Sequence, residues 1–135
     1  MNKIFPASLD MLYDMLAFVS HFAKKNHFDS YQISKIELAS EEALVNIISY
    51  GYPDGLGAIE IQCNSPSRSG IEIIIKDKGV PHNPLVVTPD TDIEPKVERS
   101  KIGGFGVQFM ITLMDEVTYR REKDHNVLTL TKYLE

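Results

Sequence analysis

Between Glu37 and Gly51 the chain reads ELASEEALVNIISYG, a run that is apolar almost all round when wound at about 3.6 residues per turn. Ile36, Ala43 and Ile47 point one way, Leu38 and Val45 another, Leu44 and Ile48 a third. The pattern predicts a helix packed on most of its circumference. Within it Glu42 and Asn46 stand one turn apart and share a narrow sector flanked by Leu38 and Ala39. A carboxylate and an amide in so apolar a helix are costly unless something pairs with them. An isolated E-x-x-x-N is more often a solvated stripe than a site, so its meaning depends on what else the chain carries.

A length of 135 residues fits a single domain, 1–135, with volume for a real core and little room for a second. The net charge of −5 argues against sequence-independent binding to nucleic acid or to an anionic membrane, though it leaves a local nucleotide site open. The one cysteine, Cys63, has no partner for an intrachain disulfide and falls in a strand-like segment. It reads as a small buried hydrophobe in a reducing cytoplasm. The N-terminal MNKIFPASLD lacks the pattern of a signal peptide, and no apolar run reaches membrane-spanning length.

Lys3-Ile4-Phe5 predicts a short strand, and Ser8 an N-cap for a helix over Leu9 to Asn26. His21 and His27 have no ligating partners at metal spacing and read as surface or capping residues. Asp29 or Ser30 caps the helix that carries Glu42 and Asn46, and the cluster Tyr50-Gly51-Tyr52-Pro53-Asp54-Gly55 stops it. Strands follow at Ala58 to Cys63 and Gly70 to Lys76. The second of these delivers Asp77 and then Lys78-Gly79 to its edge. Turn chemistry alone accounts for D-x-G. From about 85 to 103 no periodicity holds, and a loop of that length in a small domain predicts a functional lid. It runs into Gly103-Gly104-Phe105-Gly106 and an apolar helix over Val107 to Met114, a turn whose backbone N–H groups can converge on an anion. Glu116 to Glu122 and Val127 to Tyr133 predict two strands joined by a hairpin turn at Lys123 to Asn126.

Three motifs therefore stand in order: E-x-x-x-N on a helix, D-x-G after a strand, and R-S-x-x-G-G-F-G into a helix. Together they resemble the N, G1 and G2 boxes of the GHKL, or histidine-kinase-like, ATPases. SEEALVNIISYGYP, DKGVPHNP and GGFGVQFMITLMDEVTY narrow the resemblance to the small anti-sigma-factor serine/threonine protein kinases. It spans nearly the whole chain. The fold it implies, in keeping with the order of elements, is an α/β two-layer sandwich of the Bergerat ATP-binding type, with a mixed β-sheet packed on one face by three helices.

Site roles follow from the resemblance, residue by residue. Asn46 takes the place of the amide that ligates Mg²⁺, and Glu42 that of the general base, its apolar surroundings raising its pKa. Asp77 takes the adenine-reading position, with Gly79 allowing close approach to the ring. Gly104 and Gly106 frame the phosphate turn. Arg99 resembles the lid arginine that neutralises the transferring phosphoryl group, with Lys101 a rival for that task. Ser49, Ser100, Gly103, Phe105 and Val107 complete the implied nucleotide contacts. The chain departs from the family at His82, where an aromatic such as Phe is common, and at Asn126-Val127, where Gly-Thr is frequent. The function implied is a cytoplasmic serine protein kinase using ATP and Mg²⁺. It would phosphorylate a STAS-type anti-anti-sigma partner, hold a sigma factor, and form a homodimer. The alternative is a non-catalytic ATP-binding module that binds partner proteins without phosphoryl transfer.

Overall fold

The β-branched run that starts at Gly70 forms the middle strand of a five-stranded sheet in the computed structural model, which describes residues 1–67, 69–85 and 105–134. In chain order the elements are β1 (Asn2–Pro6), a 3-10 turn (Leu9–Met11), α1 (Leu12–Lys25), α2 (Ser30–Gly51), β2 (Ala58–Ser67), β3 (Gly70–Asp77), α3 (Phe105–Leu113), β4 (Glu116–Glu122) and β5 (His125–Tyr133). The strands lie side by side in the order β1-β2-β3-β5-β4. Three helices cover one face, as the order of elements implied.

The sheet, expected to be mixed, is antiparallel in every pairing among the described residues. β3 and β4 do run in the same direction, as strands on either side of a helix should. However, β5 turns back from β4 and inserts between them, so the two parallel strands never touch. The hairpin is tighter than predicted: β5 begins at His125, Glu122 pairs with His125, and only Lys123 and Asp124 form the turn, Lys123 with φ 57°.

Local chemistry explains the helix ends. Ser8 caps as predicted, its hydroxyl accepting from the Asp10 N–H at 3.2 Å, but the Met11 N–H bonds back to the Ser8 carbonyl at 3.0 Å. That three-residue closure makes the first turn 3-10, and the α-helix opens only at Leu12. Asp29 caps α2 through the Gln32 N–H at 2.8 Å. At the far end of the fold, the Lys132 ammonium donates to the Leu113 carbonyl at 2.9 Å and so closes the C-terminus of α3.

The core is one stripe from each layer. Ile59, Ile61 and Cys63 of β2, Ile71, Ile73 and Ile75 of β3, and Leu128 and Leu130 of β5 are buried and alternate with half-exposed residues such as Glu60, Glu72 and Lys76. Ile36, Ala39, Ala43, Leu44 and Ile48 of α2 face them. Here α2 differs from the expectation: Leu38 is 38% exposed and Val45 half-buried, because a helix laid on a sheet keeps a solvent side however apolar its sequence. Among the described residues no helix is long and apolar enough to cross a membrane.

Cys63 is fully buried, and its burial pushes the thiol up to about 12. The thiolate needed for disulfide exchange therefore forms only when β2 opens. Labelling of the native protein with a chromogenic disulfide reagent at pH 8 should follow the unfolding rate, and become immediate in denaturing urea.

Candidate functional site

Alternation along β3 decides where Asp77 goes. Ile71, Ile73 and Ile75 point into the helix layer, so the next residue of the same parity does too, and Asp77 is 4% exposed. β5 repeats the pattern: Leu130 and Leu128 are buried, and the next position is Asn126, 7% exposed. The two residues are register partners, with Arg121 of β4 paired to Asn126 in the same row. At one end of the sheet the hydrophobic core thus gives way to a polar layer.

That layer is closely bonded. Asp77 Oδ1 accepts from the Gly79 N–H at 2.8 Å, the Asn126 amide at 3.1 Å and the Tyr52 hydroxyl at 3.3 Å. The Tyr52 oxygen in turn accepts from the Lys78 N–H at 3.0 Å. Burial first, and then the Asp77 carboxylate, raise the Tyr52 pKa, which keeps its hydroxyl protonated and able to donate. A side chain at Gly57 (φ 137°) would collide with the Tyr52 ring, so glycine there is what admits the ring. A Cβ on Gly79 would lie 2.9 Å from Asp77 Oδ1 and 3.5 Å from the Gly51 Cα, so glycine is required where this loop passes the end of α2.

Above the layer opens a narrow cleft. The last turns of α2 contribute Asn46, Ile47, Tyr50 and Gly51; β3 and its following loop contribute Asp77, Val80, His82 and Pro84; β4 and β5 contribute Tyr119, Asn126 and Leu128. Tyr50 and His82 stack at 5.1 Å between ring centroids and 26° between planes, so His82 serves as the aromatic that the family pattern places there.

Two nearly buried residues of the lining keep polar atoms that meet no protein partner among the described residues. Asn46 is 8% exposed, yet its side chain makes no hydrogen bond among the described residues. Likewise, no donor among the described residues meets Asp77 Oδ2. Buried polar atoms are ordinarily paired, and an amide and a carboxylate oxygen left open on one cleft fit a ligand that supplies the missing partners.

The structure therefore brings Asn46, Asp77 and Gly79 together. Glu42 sits one turn before Asn46 on α2, half-buried and outside the cleft lining; burial raises its pKa, with the neighbouring Glu41 charge adding to the effect. Ser49 is exposed and also outside the lining. Phe105, Gly106 and Val107 form the first turn of α3, with Val107 half-buried. Arg99, Ser100, Lys101, Gly103 and Gly104, together with nearly all of the expected lid, lie outside the described residues. Tyr52, Tyr119 and Asn126 were not among the residues predicted for the site. Only Asn126 left a trace in the sequence, in the alternation Asn126-x-Leu128-x-Leu130.

Comparison with known proteins identifies the family. The profile of the histidine kinase-like ATPase domain family matches residues 5–132. The serine/threonine-protein kinase BtrW of Bordetella bronchiseptica is 27% identical over 124 residues, covering 89% of this chain and 84% of that protein. The serine-protein kinase RsbW of Bacillus cereus is 28% identical over 116 residues, covering 84% of this chain and 71% of that one. Among solved structures, the RsbU and RsbW domains of Rv1364c from Mycobacterium tuberculosis superpose with a TM-score of 0.68 at 15% identity, over 99% of this chain. The chain spans 31% of the length of that larger protein chain, and the likeness is one of fold.

Replacing Tyr52 by Phe should lower stability by about 0.5–1.5 kcal/mol, because the part-buried Lys78 N–H loses its acceptor and Asp77 one donor. Urea denaturation of the two proteins measures the difference.

Proposed function

Because the chain belongs to the histidine kinase-like ATPase domain family, we propose that it is an ATP-dependent serine protein kinase and anti-sigma factor. Its substrate would be a seryl hydroxyl on a small STAS-type antagonist, and its second partner a sigma factor. The observation that carries the reading is the pair of nearly buried polar groups, Asn46 from α2 and Asp77 Oδ2 from β3, that line one cleft without a protein partner among the described residues.

In this reading Asp77 Oδ2 accepts from the exocyclic amine of adenine, and Gly79 lets the ring approach. The Asn46 carboxamide oxygen holds Mg²⁺, a hard cation that takes few protein oxygens and keeps water and phosphate for the rest. Bound Mg²⁺ supplies charge neutralisation between the phosphates. Glu42 lies one helical turn from Asn46, which places their Cβ atoms about 5–6 Å apart. It takes the proton of the serine hydroxyl as that oxygen bonds to the γ-phosphorus and the bond to the bridging oxygen breaks, releasing ADP. Its raised pKa suits the task, since a base works best near the ambient pH. Arg99 or Lys101 would neutralise the transferring group, and the Gly103 to Gly106 turn, with its amides at the start of α3, would cradle the phosphates. The phosphorylated antagonist would then carry about −1.5 to −2 units of new charge at its interface and release the kinase to hold its sigma factor.

Glu42→Gln should bind MgATP and lose transfer of labelled phosphate to a STAS-type substrate. Binding by both proteins with transfer by neither would instead favour a nucleotide-dependent binding module. The same variant has a signature in stability. A carboxyl whose pKa is raised by folding stabilises the fold when protonated, and loses that contribution as pH rises through the raised value. Glu42→Gln should therefore melt above the parent at neutral pH and show no such advantage well below pH 4.5.

Asn46→Ala should keep the parent's fold, as read by circular dichroism, and lose the magnesium-dependent part of its ATP affinity in titration calorimetry. An unchanged affinity would remove Asn46 from the metal site.

A further inference from the structure

Asn126 uses both ends of its amide. Its Nδ2 donates to Asp77 Oδ1 at 3.1 Å, to the Val80 carbonyl at 3.0 Å and, more weakly, to the Gly79 carbonyl at 3.4 Å. Its Oδ1 accepts from the Tyr119 hydroxyl at 2.5 Å and from the His82 N–H at 3.3 Å. Arg121 Nη1 adds a bond to the Gly79 carbonyl at 2.8 Å. The task calls for a side chain that donates toward a carboxylate and two carbonyls while accepting from an N–H and a hydroxyl. A primary amide does this on one planar group; a carboxylate cannot donate, and an aliphatic side chain can do neither. The groups that Asn126 grips are also the ones that line the cleft: Asp77, Val80 and His82.

We propose that Asn126 is a positioning residue for nucleobase selection, fixing the Asp77 carboxylate and the path of residues 79–82 so that Oδ2 alone faces the cleft. The proposal rests on the nucleotide reading above. With Oδ1 occupied by three donors, the edge shown to a ligand is purely accepting. A base with an exocyclic amine at that edge completes the pairing, whereas a base with a carbonyl sets two acceptors against each other. Without Asn126 the carboxylate loses one of its three donors, and the Val80 carbonyl and the His82 N–H lose their bonds to the amide, so Asp77 and the path of residues 80–82 are less restrained. The site then keeps its acceptor but loses the geometry that rejects a carbonyl.

Adenosine and inosine triphosphates differ at this edge by an amine against a carbonyl at C6 and by an acceptor against an N–H donor at N1, so a site that fixes Oδ2 opposite C6 distinguishes them. Titration calorimetry of the full chain should show a preference for MgATP over MgITP in the parent. In Asn126→Ala that preference should fall about tenfold or more, a change of about 1.4 kcal/mol or more. Asn126→Ser, which keeps a donor and an acceptor on one atom, should recover part of it. Equal weakening of both nucleotides in Asn126→Ala would show a packing role only and overturn the proposal. Should Asn126→Ala not fold, Tyr119→Phe removes one bond to Oδ1 and should move the ratio the same way by a smaller amount; an unmoved ratio there counts against it equally. Amide hydrogen exchange at His82 without nucleotide reads the restraint separately. Protection lost in the variant supports the restraint, and protection unchanged overturns it. A parent that binds neither nucleotide overturns the nucleotide reading, and the selectivity role with it, whatever the exchange shows.

Discussion

Where the isoleucine stripe of β3 and the leucine stripe of β5 run out, a carboxylate and an amide take the next inward positions and bond to each other. A hydrophobic core can end this way only if the polar atoms it encloses find partners, because each one left open costs about 1–3 kcal/mol. Asp77 Oδ1, both ends of the Asn126 amide and the Tyr52 hydroxyl are all satisfied, and with them the N–H groups of Lys78, Gly79 and His82. Among the described residues this accounting leaves Asp77 Oδ2 and the Asn46 side chain as nearly buried groups of the cleft without a protein partner. The closed part of the network holds the loop after β3; the open part is available for chemistry.

The helix that carries Glu42 and Asn46 is also the one that seals the core, with Ile36, Ala39, Ala43, Leu44 and Ile48 buried against the sheet. Groups mounted on such an element inherit its rigidity, which a loop could not give them. Among the described residues the Asn46 amide meets no protein partner, and a polar group presented to a cleft in this way is more characteristic of functional than of structural positions.

What was legible in the sequence was what short-range periodicity encodes. The helical repeat placed Glu42 and Asn46 in one sector, and strand alternation placed Asp77 at the end of a buried stripe. The antiparallel sheet was not legible, because β5 lies between β3 and β4 by a long-range pairing that no local pattern records. Tyr52 was read as one of a cluster of helix-stop residues, and its bond to Asp77 spans 25 positions. Asn126 was read as part of a polar turn, Lys123 to Asn126. The true turn is two residues, so Asn126 falls inside the strand and its parity becomes meaningful. The family resemblance pointed to Asn46, Asp77 and Gly79; it could not point to Asn126, at which this chain departs from the family pattern.

The insertion of β5 between two strands already made has a consequence for how the protein is born. Ribosomes deliver the chain from its N-terminus, so β3, α2 and β4 emerge while the central gap in the sheet is still empty. Asp77 then has Ile59 of β2 as its cross-strand neighbour but lacks Asn126, and the part of the cleft supplied by β5 is missing. The polar layer and the cleft above it are therefore completed together, at the moment β5 pairs with β3.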